Sequence, residues 1–135
     1  MFATLFFGIL DPRDGKLTYI NGGHEPPLII QSGHLREALC KTGPAVGAIL
    51  NGHFELLETH LHAGDTFFAF TDGVPDSIGP RGEFFGRERL HAILQRRCAS
   101  AHELVYTLES ELCQYIASAN QFDDITLLAV KRLAI

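Results

Sequence analysis

Two acidic turns in this chain have the residue types and the placement of a metal site. Asp72 follows the apolar run 66–70 directly, and Asp123 directly precedes Asp124 and the apolar run 125–130. If these runs are neighbouring antiparallel strands, the end of the first meets the start of the second at one sheet edge. Carboxylates gathered at such an edge repel unless a cation lies between them, and hard divalent cations prefer oxygen ligands. The sequence therefore predicts a divalent-metal site at this edge.

Each turn taken alone has an ordinary structural interpretation. An Asp-Gly pair after a strand is most often only a turn, and an Asp-Asp pair before a strand is most often a solvated strand start. The metal interpretation of Asp72 and Asp123 therefore depends on their joint placement. Asp65, in the segment 62–65 before the first run, is interpreted as a turn residue rather than as a ligand.

The composition limits the class of protein. The chain has 135 residues, 46% hydrophobic and 20% charged, which is typical of one globular domain. Its net charge is −5 and its Lys and Arg residues form no concentrated cluster, which argues against a nucleic-acid surface. No stretch approaches the roughly 20 apolar residues of a membrane span. Its 3 cysteines include no CxxC pair, so we expect a reducing, cytoplasmic location.

Strands are predicted on both sides of a helical region. Residues 2–10 and 16–21 are rich in β-formers and flank a turn at 11–15, so they predict a hairpin. Further strands are predicted at 28–30, 53–61, 66–71 and 124–132. Gly and Pro punctuate 34–52 and 73–86, where little regular structure is expected.

Two helices are predicted between the last two strands. The first spans 86–97, where apolar residues recur at helical spacing. Ser100 is the predicted N-cap of the second, with Glu103 as its capping-box partner and an end near Asn120. Strands, then two helices, then one strand predict an α+β fold, mainly an antiparallel sheet with two helices packed on one face.

Six segments of the chain, in order, resemble the bacterial SpoIIE/RsbU-type phosphatases. This group belongs to the PPM (type 2C) metal-dependent serine/threonine protein phosphatases. The segments are the hairpin 1–28, GPAVG at 43–47, LHAGD at 61–65, FTDGV at 70–74, FG at 85–86 and DDIT at 123–126. Each is weak alone, but six in the right order are specific, and together they cover essentially the whole chain. The resemblance implies an α/β sandwich of the PPM type.

The resemblance also implies a centre of two Mg²⁺ or Mn²⁺ ions, held mainly by aspartates and water, where a metal-bound water attacks phosphorus. Asp72 and Asp123 would be the metal ligands and catalytic residues of this chain, with Asp124 in a lesser role. Gly73 would allow the tight turn that directs the Asp72 carboxylate inward.

Gly23 and His24 match a family segment that forms a loop at the site. Two interpretations of His24 stay open. The ring acts near the phosphate as a hydrogen-bond donor or proton carrier, or it braces the loop through a ring nitrogen bonded to the backbone.

One family feature has no counterpart in these 135 residues. Family members carry, upstream of the hairpin, a strand ending in Gly-Gly-Asp that supplies a bridging aspartate. Residues 1–135 are therefore expected to be a single partial phosphatase domain that lacks this segment. A fragment of a longer chain, a reading frame started at an internal Met and a natural truncation all stay open.

For the parent protein the resemblance implies hydrolysis of phosphoserine or phosphothreonine on a regulatory protein of the anti-anti-sigma (STAS) type. It further implies a part in sigma-factor regulation, under an upstream sensor or receiver domain. The alternative is a truncated, non-catalytic module that binds a phosphoprotein. A dimer is an open expectation, and no nucleic-acid partner is expected.

Overall fold

The computed structural model describes residues 1–117, 119 and 124–133. Within this part, seven strands and two helices occur in the order β1 (Leu5–Leu10), β2 (Lys16–Gly22), β3 (Leu28–Gln31), β4 (His34–Ala38), β5 (Leu57–His60), β6 (Thr66–Phe70), α1 (Gly86–Leu94), α2 (Ala101–Ile116) and β7 (Leu127–Lys131). No helix in the described ranges is long and apolar enough to cross a membrane.

The strands form two antiparallel sheets. One has the order β1-β2-β5, and the other has the order β4-β3-β6-β7. The predicted α+β class, with antiparallel strands and two helices, is confirmed. The structure adds the division into two sheets, with the predicted hairpin β1-β2 in a different sheet from β6 and β7.

The second sheet contributes to two apolar cores, one on each of its faces. Leu17 and Tyr19 of β2 pack with Ile29 of β3 in the core between the sheets. On the other face of the second sheet, the apolar side chains of β3 and β6 pack against both helices. The helices therefore cover one face of the second sheet, as the sequence predicted, and the first sheet covers the other.

The predicted start of α2 is confirmed. The Ser100 hydroxyl accepts a hydrogen bond from the Glu103 backbone N–H at 3.0 Å. The Glu103 carboxylate reaches back to the backbone N–H of Ala99 at 2.6 Å, one residue earlier than in the standard capping box. The helix ends at Ile116, earlier than predicted, and Asn120 lies outside the described residues.

The main error of the sequence interpretation is in the segment 34–52, where little regular structure was expected. Strand β4 (His34–Ala38) lies there, paired with β3. Ser32 and Gly33 have φ angles of 50° and 80°, so they reverse the chain tightly enough for a hairpin. Other strands are shorter than predicted: β1 begins at Leu5, and β5 occupies only the end of 53–61.

Candidate metal centre

Strands β6 and β7 are antiparallel neighbours, as the metal hypothesis requires. Phe70, the last residue of β6, pairs with Leu127, the first residue of β7. The pairing continues beyond the strands, because the Thr71 N–H donates to the Thr126 carbonyl at 3.2 Å and the Thr126 N–H donates to Thr71 Oγ1 at 3.0 Å. Asp72 and Asp124, which lie just beyond these paired strand ends, are therefore brought to one sheet edge.

Two of the three predicted aspartates fall within the described residues. Asp72 and Asp124 are both exposed at this edge. The Thr71 hydroxyl donates to the Asp124 carbonyl oxygen at 3.2 Å, which ties the second turn to the first. Asp123 lies outside the described residues, so its place at the edge remains a prediction.

The Asp72 carboxylate has the character of a cation ligand. In the described ranges, no Lys, Arg or His side chain forms a salt bridge with it. An exposed carboxylate at an acidic edge offers the hard oxygen donors that Mg²⁺ and Mn²⁺ prefer. However, no group of three or more His, Cys, Asp or Glu side chains that could hold a metal lies within the described residues. Asp72 and Asp124 therefore fit part of a metal centre.

The backbone after Asp72 is fixed by a compact turn. The Asp76 N–H donates to the Asp72 carbonyl at 3.0 Å, and the buried Ser77 hydroxyl donates to the Gly73 carbonyl at 2.6 Å. Val74 is fully buried under this turn. These contacts hold Asp72 at the sheet edge while its side chain stays in solvent. Sequence analysis missed the contribution of Ser77, because a serine in a loop rich in Gly and Pro carries no distinct signal.

Gly73 is required at the site for a different reason from the one expected. It is not among the glycines with positive φ. A Cβ atom at this position would instead overlap the Asp124 carbonyl oxygen. The missing side chain thus lets the two acidic turns approach each other.

We expect Gly73→Ala to lower the free energy of unfolding by about 1–3 kcal/mol, because the overlap forces the turns apart. Urea denaturation measures this loss. Gly8→Ala is the matched control, because the added Cβ would make its two shortest contacts with side-chain atoms, of Leu17 at 3.0 Å and Phe6 at 3.3 Å, rather than with backbone. Its expected loss is under about 1 kcal/mol. Equal losses in the two variants would contradict the role of Gly73 in turn contact.

The loop carrying Gly23 and His24 is held by a buried asparagine. Asn21 Oδ1 accepts from the His24 backbone N–H at 2.8 Å, and Asn21 Nδ2 donates to the Leu39 carbonyl at 2.9 Å. Gly23 has a φ of 77°, a conformation that favours glycine. Sequence analysis did not assign a role to Asn21.

The His24 ring supports the bracing interpretation of the two left open. Its Nδ1 lies 2.7 Å from the Glu25 carbonyl oxygen, so Nδ1 carries the proton in this contact. The ring also lines a cavity of about 350 Å³ together with Thr71 and Thr126. His24 therefore shares a cavity with the threonines that join the acidic turns, with Nε2 as the nitrogen available to a ligand.

Nearly the whole chain matches one protein family. The family described as Stage II sporulation protein E (SpoIIE) matches residues 1–133. The chain belongs to the SpoIIE family. Protein IcfG of Synechocystis sp. (strain ATCC 27184 / PCC 6803 / Kazusa) is 43% identical over 132 residues, which cover 98% of this chain and 21% of IcfG. The phosphoserine phosphatase RsbU of Bacillus subtilis (strain 168) is 28% identical over 134 residues, which cover 98% of this chain and 39% of RsbU.

A solved phosphatase-domain structure is also similar to this chain. The SiaA-PP2C domain of Pseudomonas aeruginosa superposes with a TM-score of 0.78 at 25% identity, over 95% of this chain and 51% of that one. The resemblance to SpoIIE/RsbU-type PP2C phosphatases is thus confirmed. The SpoIIE-family chain described here spans less than two fifths of the curated relatives, and about half of the SiaA domain structure.

Proposed function

We propose that the protein containing this chain hydrolyses phosphoserine or phosphothreonine on a regulatory protein of the STAS type. The observation that carries the proposal is the pairing of β6 with β7, which brings the Asp72 and Asp124 turns together. The relative RsbU, named a phosphoserine phosphatase, supports the choice of substrate class. Sigma-factor regulation, a cytoplasmic location, a dimeric state and control by an upstream sensor or receiver domain belong to the same proposal.

Asp72, Asp123 and Asp124 would be the ligands that this chain supplies to a centre of two Mn²⁺ or Mg²⁺ ions in the complete domain. Such ions polarise phosphoryl oxygens and lower the pKa of bound water. In this arrangement the Asp72 carboxylate would bind a metal ion. The close approach of the Asp124 carbonyl to Gly73 sets the spacing of the two turns. The Thr71 hydroxyl orients the second turn by its hydrogen bond to Asp124.

We further propose that residues 1–135 form part of a phosphatase domain whose Gly-Gly-Asp strand comes from another segment. The coverage of 51% of the SiaA domain supports this division. The sheet edges support it as well, because β1 and β7 are the outermost strands of their sheets. Their apolar side chains Phe6, Leu10, Leu128 and Val130 line an open groove of about 270 Å³ between the sheets.

The second candidate is a non-catalytic module that binds a phosphoprotein. It is favoured by one observation, the lack of a three-ligand cluster among the described residues. Both candidates use the same acidic edge, and they differ in whether phosphate is released.

We expect Asp72→Asn to lower the affinity of the chain for Mn²⁺ at least tenfold, because the substitution removes the anionic oxygen from an acidic edge. Calorimetric titration of Mn²⁺ measures this. Asp76→Asn is the matched control, since Asp76 is an exposed aspartate on the same turn, and we expect it to leave the affinity within twofold. Equal losses would show nonspecific attraction of the cation to acidic residues.

The catalytic step needs a second measurement, on the full-length parent with a phosphorylated STAS-domain protein and Mn²⁺. Release of phosphate that Asp72→Asn abolishes and Asp76→Asn preserves would support the phosphatase. Binding of the phosphoprotein without release of phosphate would establish the non-catalytic module instead.

A further inference from the structure

A cavity of about 670 Å³ lies at the opposite end of β6 and β7 from the acidic turns. Thr66 and Lys131, which pair across the two strands at this end, both line it. Asp72 is six residues further along the chain from Thr66, which corresponds to roughly 20 Å of extended strand. The cavity is therefore separate from the candidate metal centre.

The floor of the cavity is apolar and rigidly built. Ile30 of β3, Leu94 of α1 and Leu104 of α2 line it, and all three belong to the core between the helices and the second sheet. The β3–β4 turn closes one side, where a Cβ at Gly33 would lie 3.1 Å from the Gln95 carbonyl. The cavity thus forms where the sheet, both helices and a tight turn meet.

Two basic side chains at the rim of the cavity keep hydrogen-bond donors that the described part of the chain does not use. Arg97 lines the cavity and has no hydrogen bond or ion pair within the described part of the chain. Lys131 Nζ donates one hydrogen bond, to the Ala99 carbonyl at 3.0 Å, which leaves two of its three donors. Arg96 is already paired with Glu111 at 2.8 Å. Arg97 and Lys131 are therefore the donors available to a ligand.

The acidic and helix-terminal groups at the rim are already occupied. The Glu103 carboxylate accepts from the Ala99 N–H, and the Ser100 hydroxyl accepts from the Glu103 N–H. The start of α2 is thus capped internally, and a ligand would depend on the two basic side chains and the floor rather than on the helix terminus.

We propose that this cavity binds a small organic anion, with a carboxylate or phosphate head held by Arg97 and Lys131 and a short apolar body on the floor. The volume is in the range of small-molecule sites, and such sites combine an apolar lining with a few polar groups that fix orientation. A guanidinium suits both head groups, because it can donate two parallel hydrogen bonds to either. The proposal does not depend on the phosphatase function.

The reactivity of the Cys98 thiol can show whether a ligand occupies the cavity. It lines the cavity and is partly buried, whereas Cys40 and Cys113 are exposed elsewhere. A ligand on the floor would shield the Cys98 thiol and leave the other two unchanged. Burial raises the pKa of the Cys98 thiol, so its alkylation is slow and is followed at mildly alkaline pH.

The experiment measures the alkylation rate of each cysteine by iodoacetamide, resolved by peptide mass spectrometry. Octanoate and octyl phosphate are the probes, and inorganic phosphate is the head-only comparison. We expect saturating octanoate or octyl phosphate to slow alkylation of Cys98 at least fivefold and that of Cys40 and Cys113 less than twofold. The more protective of the two probes identifies the preferred head group.

Arg97→Gln is the decisive variant, because Arg97 forms no hydrogen bond or ion pair within the described residues. We expect it to weaken protection of Cys98 at least fivefold, while Arg81→Gln, a change of an exposed arginine outside the cavity lining, leaves protection unchanged. Circular dichroism confirms folding of both variants. The proposal is overturned by absent or uniform protection, by protection that survives Arg97→Gln, or by equal protection from inorganic phosphate.

Discussion

Replacing Asp65 by alanine should lower the free energy of unfolding by about 3 kcal/mol. Asp65 is 1% exposed, and its Oδ2 accepts hydrogen bonds from Arg36 Nη2 at 3.0 Å and from the His62 N–H at 2.9 Å. The substitution leaves the Arg36 guanidinium, whose side chain is 25% exposed, without its nearer carboxylate and with only Glu37 Oε2, 4.0 Å from Arg36 Nη1. Urea denaturation followed by circular dichroism measures the loss.

Two further variants separate charge from packing. Glu58→Ala breaks the exposed pair between Lys16 Nζ and Glu58, 3.1 Å apart, and should cost under about 1 kcal/mol. Arg36→Met combined with Asp65→Ala removes both charges, and should recover part of the loss because no guanidinium remains without its Asp65 partner. A double variant as unstable as Asp65→Ala would show that the unpaired charge is not the cause.

The Arg36–Asp65 pair shows why a buried ion pair need not stabilise a protein more than apolar side chains would. Arg36 Nε and Asp65 Oδ1 are buried without a hydrogen-bond partner within the described part of the chain. Each such atom has lost its hydrogen bonds to water without gaining a replacement, which lowers the free energy of unfolding. The pair thus contributes less to net stability than the effect of removing one partner suggests, and it fixes how the β5–β6 turn meets β4.

Phe68→Ala should lower the free energy of unfolding by about 3–5 kcal/mol, because it opens a cavity in a core that has little room to collapse. Phe68 is 0% exposed, and its ring lies 5.8 Å from that of Phe70. It belongs to the core in which β3 and β6 pack against both helices. Thermal and urea unfolding both report the loss.

Phe7→Ala is the matched control for this prediction. Phe7 is also a phenylalanine in a strand, but it is 56% exposed. Its removal forfeits little burial and should cost under about 1 kcal/mol. Similar losses at Phe7 and Phe68 would mean that burial does not set the free-energy cost of removing these two rings.

The elements with local signals were predicted well. The start of α2 followed from Ser100 and Glu103, whose contacts span three or four residues. Strand β6 followed from a short apolar run between turns, and its pairing with β7 is confirmed. The position of Asp72 at the end of β6 could therefore be predicted as soon as that pairing was assumed.

The candidate site was predicted only in part. Its acidic residues were identified from their types and from the resemblance, but the cause of the Gly73 requirement is the Asp124 carbonyl, 51 residues away in the chain. The support from Ser77 and Asn21 was missed, because a single polar residue in a loop or near the end of a strand has no periodic pattern. His24 was placed at the site from the sequence. Its contact with the Glu25 carbonyl, seen in the structure, favours the interpretation that the ring braces the loop.

The sequence by itself determined the fold class, the family and the acidic turns, because caps, turns and apolar runs act over a few neighbouring residues. Only the tertiary structure decided the split into two sheets, the β4 hairpin, the Arg36–Asp65 pair and the basic cavity beside Cys98. These features depend on which distant surfaces pack together. That choice is set by burial summed over the whole chain, which no local pattern contains.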